Sequence, residues 1–143
     1  MFEASHIHPM LVHFPIALIM AGFLFDVIFL VFKKEQCLSK AGLYLMILGT
    51  LGAGVALASG YLFTNAPSDG EVVNVYNSHR TGALVTTIIM FISSIVRVYI
   101  VTSKKEETSL KWVSFGLYLL GAVAVSFTGF MGGTMVYKYF LGL

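Results

Sequence analysis

His13-Phe14-Pro15-Ile16-Ala17-Leu18 and His79-Arg80-Thr81-Gly82-Ala83-Leu84 both read H-x-x-x-A-L, and each opens an apolar run. The runs that follow also match. One contains Gly52-Ala53-Gly54-Val55-Ala56-Leu57-Ala58-Ser59-Gly60-Tyr61, the other Gly121-Ala122-Val123-Ala124-Val125-Ser126-Phe127-Thr128-Gly129-Phe130. A duplicated helical hairpin accounts for both matches. It predicts that His13 and His79 lie at one depth and face each other across a helical bundle.

Composition sets the class in which that bundle must exist. Of 143 residues, 57% are hydrophobic and only 11% charged, against roughly 25% charged in an ordinary soluble domain. Such a chain cannot cover a water-facing surface, so an all-α integral membrane protein is expected. The formal charge of +2, with no basic patch interleaved with aromatics, excludes nucleic acid as a partner. Cys37 is the single cysteine, which rules out an internal disulfide and argues against a thiolate metal site. Residues 1–8 lack the basic start of a signal peptide, so the first apolar run is expected to be retained.

Four apolar stretches, about residues 9–32, 41–63, 81–101 and 112–137, are each near the roughly 20 residues that span a bilayer core as a helix. They predict a single membrane domain over residues 1–143, a bundle of four transmembrane helices built as two pseudo-repeated hairpins. Lys33, Lys34, Lys40, Lys104, Lys105 and Lys111 flank the two short connections, whereas the other side carries Arg80 and Lys138 near its helix ends. The positive-inside rule therefore puts the short connections in the cytoplasm. Both termini and the 64–78 loop then lie on the outer side of the cell (inner) membrane, together with His6, His8, His13 and His79. Within that loop Ser68-Asp69-Gly70-Glu71 has the spacing of a capping box, which predicts a short interfacial helix leading towards His79.

A polar ring inside hydrocarbon is costly and marks function more often than packing. His13 lies about one turn inside the first helix if Pro9 is its first residue, and His79 opens the third. His8 then falls at the N-cap. It lies about 140° from His13 around the helix, so the two cannot both point at one metal ion. A carboxylate near the surface, such as a haem propionate, is the partner that suits it. His6 reads as an exposed terminal residue. Gly60 and Gly129 are the glycines that match in the two halves and can give a flat ligand room. Gly129 and Gly133 also form G-x-x-x-G, the spacing by which membrane helices pack closely. The small-residue faces of the second and fourth segments suit packing within one bundle or against another copy. Asp26 and Arg97 each lie 17 residues inside their segments, about 25 Å from the outer ends. A charge at that depth calls for a partner, so an ion pair between the first and third helices is expected. No phosphate loop, Ser-His-Asp set or paired carboxylates are present, which removes hydrolytic readings.

The segment His8-Pro9-Met10-Leu11-Val12-His13-Phe14-Pro15-Ile16-Ala17-Leu18 resembles the H-P-x-x-V-H-F-P-I-A-L signature of a family of small bacterial four-helix membrane proteins, long of unknown function. Ser59-Gly60, His79 and Gly132-Gly133-Thr134-Met135-Val136-Tyr137 continue the resemblance along nearly the whole chain. Some relatives are joined to Rieske iron–sulfur or c-type cytochrome modules, which implies redox company. Others carry a histidine after the Thr-Gly of the fourth helix. Phe130 stands there in this chain, which leaves His13 and His79 as the pair.

The reading that follows is a b-type haem protein with His13 and His79 as axial ligands of one haem near the outer face. It would be an electron carrier rather than a stand-alone enzyme, exchanging electrons between a quinol or membrane partner and an outer-face redox protein. Two alternatives stay open at the level of sequence. One is zinc or copper binding or transport through His8, His13 and His79. The other is a structural subunit of a membrane complex.

Overall fold

The structure, a computed structural model, describes residues 7–105 and 108–139. His6 lies outside them. The described chain is four helices in sequence: α1 (Ile7–Val31), α2 (Gln36–Phe63), α3 (Val72–Thr102) and α4 (Leu110–Tyr139). Each is long and apolar enough to cross a membrane. Large apolar side chains cover the outside of the bundle, among them Leu24, Leu62, Phe91 and Val123, each more than half exposed. A surface of that kind is stable against lipid and not against water. The protein is a multi-pass four-helix membrane bundle.

Small residues decide how the helices meet. α1 packs chiefly on α2 and α3 chiefly on α4, with thinner α2–α3 and α1–α4 seams closing the ring. Ile19, Met46, Met90, Tyr118 and Val125 form the buried centre, with Ile16 and Phe23 against it. Hydrocarbon gives helices no solvent-driven reason to associate, so close backbone approach and dispersion contacts must supply the attraction. Gly49 lies against Ile19 and Gly121 against Met90, and a Cβ at either glycine would run into that neighbour.

The two hairpins are true structural repeats, in a register different from the one H-x-x-x-A-L suggests. His8 and His79, Pro15 and Thr86, Ile19 and Met90, Gly22 and Ser93, and Asp26 and Arg97 are each 71 positions apart (79 − 8). Apart from His79 and Arg97, which are partly exposed, all of these are buried. In α2 and α4, Gly42, Met46, Gly49, Thr50, Ala53 and Ala56 correspond to Ser114, Tyr118, Gly121, Ala122, Val125 and Thr128, each 72 apart (114 − 42) and all buried. The counterpart of His79 is therefore His8 rather than His13, and that of Gly60 is Gly132 rather than Gly129. The sequence match misleads because it rests on Ala and Leu, which recur along any apolar helix. Burial follows the helical repeat and fixes the register.

Two further expectations are corrected at helix starts. α1 begins at Ile7, so His8 is inside the helix and buried instead of capping it. α3 begins at Val72 and runs unbroken through His79, so the loop helix is the first two turns of α3. The capping box does not form: Glu71 makes no side-chain cap, and Gly70, at φ +83°, turns the chain into the helix. At the far end the expected ion pair is present, Arg97 Nη2 donating to Asp26 Oδ1 and to Ser39 Oγ, each at 3.1 Å. Asp26 is 3% exposed.

Candidate functional site

The end of the bundle opposite the short lysine-flanked connections holds a cavity of about 290 Å³. All four helices line it, with His8, His13, Ile16, Thr86, Val125 and Gly129 among the residues exposed to it, and His79 at its inner wall. A smaller chamber of about 40 Å³ adjoins it and shares His8 and His79.

Each of the three histidines is tied by Nδ1. His79 Nδ1 lies 2.9 Å from the Thr128 carbonyl oxygen, and His13 Nδ1 lies 2.7 Å from that of Pro9. A carbonyl only accepts, so Nδ1 carries the proton in both rings. His8 Nδ1 lies 2.9 Å from Ser59 Oγ, whose own proton goes to the Ala56 carbonyl at 2.8 Å. His8 Nδ1 must therefore donate as well. In its neutral form each ring then has its Nε2 lone pair left for another partner. A histidine anchored through one nitrogen with the other free is the usual arrangement of a metal-ligating imidazole.

Two of the three rings meet. The His8 and His79 ring centroids are 6.2 Å apart with planes at 80°. His8 is buried by α2 and His79 is half-buried under α4. Their settings repeat: an added Cβ at Gly60 would lie 3.0 Å from His8 Cε1, and one at Gly132 would lie 3.2 Å from His79 Cε1. His13 is exposed and borders the larger cavity but not the small chamber that His8 and His79 share. Among the described residues no three His, Cys, Asp or Glu side chains gather closely enough to hold a metal ion. A zinc or copper site built from His8, His13 and His79 finds no support in this arrangement.

Glycines shape the rest of the cavity. Gly129 faces Ile16, where a Cβ would lie 3.2 Å from Ile16 Cδ1, and Gly133 has open space beside it. Together with Gly132 they leave one flank of α4 bare along the cavity. The charged groups lie elsewhere. Arg80 lies over Tyr61, its guanidinium carbon 4.1 Å from the ring centre, and both border the small chamber. The Asp26–Arg97 ion pair lies at the opposite end.

With the histidine end, the bare α4 flank and four membrane helices in place, the comparison with known families is decisive for class. The chain belongs to the family Predicted membrane protein (DUF2231). The family model matches residues 4–143 and so takes in all four helices. Membership bears out the expectation of a small membrane-protein family of unknown function. No curated protein and no solved structure matches the chain.

Sequence reasoning named His8, His13, His79, Gly60 and Gly129, and all five border one cavity or the other. It missed the roles of Ser59 and Thr128 as anchors of the rings and of Gly132 as the seat of His79. The 71- and 72-residue spacings carry that signal once burial is known.

Proposed function

We propose that this protein is a membrane-bound b-type haem protein that transfers electrons, with His8 and His79 as the axial ligands. The observation that supports it is the His8–His79 pair: two neutral rings, each anchored through Nδ1, with centres 6.2 Å apart. Imidazole nitrogens about 2 Å from a shared metal put two opposed ring centres roughly 6 Å apart, whatever the angle between the ring planes. The adjoining apolar cavity and the bare glycine flank of α4 suit a flat macrocycle, and the donor set fits low-spin haem iron.

The haem would supply one-electron chemistry. The chain does the rest. Ser59 and the Thr128 carbonyl orient the two imidazoles and make them better donors. His8 and His79 would both hold the iron, leaving no place for oxygen, and the apolar wall would keep water away and so tune the potential. The lysine-rich connections argue that the histidine end faces outward in the cell membrane. A haem there would exchange electrons between a quinol or membrane donor and an outer-face redox protein.

The test is a visible spectrum of the purified protein, made under haem-replete conditions, with and without dithionite. A low-spin haem spectrum is expected, and colourless protein overturns the reading. His8→Ala and His79→Ala should each abolish the low-spin form, whereas His13→Ala should keep it. Loss on His13→Ala with retention on His8→Ala would return the ligand role to His13.

A further inference from the structure

Arg80 is the one permanently charged side chain on the walls of these two cavities. It follows His79 directly in the chain and borders the small chamber that His8 and His79 also line. Its side chain is exposed, and its guanidinium carbon lies 4.1 Å from the centre of the Tyr61 ring, a contact that does not use its N–H donors. No carboxylate reaches it within ion-pairing distance among the described residues. A guanidinium resting over an aromatic ring, with no hydrogen bond or ion pair to another of the described residues, is suited to bidentate capture of a carboxylate. The chamber, at about 40 Å³, has room for a group of that size, since one water occupies about 30 Å³.

From this we infer that Arg80, braced by Tyr61, is the anchor for the carboxylate of the ligand bound at the histidine end. Resting on the proposed function, that carboxylate is a propionate of the haem. The assignment moves the propionate contact from His8, whose Nδ1 is committed to Ser59, to Arg80. A phospholipid headgroup offers similar chemistry, so the test is made in non-ionic detergent free of phospholipid.

The full-length apoprotein is titrated with haem and, separately, with haem dimethyl ester, whose propionates carry no charge. Binding is read from absorbance, and Tm is recorded for each variant. The wild type should bind haem about fivefold more tightly than the ester, the upper end for an ion pair made by an exposed side chain. Arg80→Gln should remove that preference by weakening haem binding while leaving ester binding unchanged. Arg80→Lys should restore part of it, and Tyr61→Leu should reduce it. Equal affinity of the wild type for the two compounds overturns the inference and leaves the haem reading standing. So does equal weakening of both by Arg80→Gln, which would make Arg80 a packing residue. If neither compound binds the wild type, the haem reading and the inference fall together.

Discussion

At the scale of single residues, the histidine end works through what is missing beside each ring. Gly60 and Gly132 take the edges of His8 and His79 at distances where a methyl group would press on them. Gly60→Ala and Gly132→Ala should therefore each displace a ring. Overpacking of this kind costs about 1–3 kcal/mol, seen as a lower Tm, and haem occupancy should fall with it. By contrast, Gly54→Ala, with nothing within 4 Å, should change neither reading. The residue types at this site were legible in the sequence: all three histidines and the glycine pairs stand out in so apolar a chain. Which histidine opposes His79 was not. H-x-x-x-A-L weighs a histidine equally with the Ala and Leu that follow. The structure separates the buried His8 from the exposed His13.

At the scale of elements, four apolar runs were enough to count the helices and to pair Asp26 with Arg97. The start of α3 was harder to see. Residues 72–80 contain Asn74, Asn77, Ser78 and His79, which break the apolar pattern while leaving the backbone free to continue as helix. Helix pairing at the lysine-rich end depends on the ion pair. Asp26→Ala leaves Arg97, 12% exposed, without its counter-charge. The expected loss is about 3 kcal/mol or more, measured as a fall in Tm in detergent. The exchange variant Asp26→Arg with Arg97→Asp should recover part of that loss. Recovery no greater than in either single variant would show that the pair does not couple α1 to α3. The polar side chains Thr50 and Ser94 join α2 to α3 by a 2.8 Å hydrogen bond, with Ser94 one turn of α3 from Arg97.

For the whole molecule, the proposed orientation can be read from Cys37 without adding a probe. It is the single cysteine and is exposed at the start of α2, beside the lysine-rich connection. A membrane-impermeant thiol reagent should label inverted membrane vesicles and spare intact spheroplasts; the opposite pattern would place the histidine end in the cytoplasm. The hairpins also set how the chain divides. Because α1–α2 and α3–α4 are the extensive contacts, two co-expressed fragments divided within the 64–71 linker should reassemble. Co-purification of the halves checks this, and failure of either half to capture the other would contradict it.

The repeat register has a consequence for which halves can pair. The two halves keep the same residue, histidine, at one end and have opposite charges, Asp26 and Arg97, at the matching position of the other. A hairpin paired with a second copy of itself would set two like side chains against each other at both ends. Two imidazoles in their neutral form tolerate that meeting, while two carboxylates or two guanidiniums in hydrocarbon do not. With one half acidic and the other basic at that position, each hairpin is suited to the other half and not to its own kind.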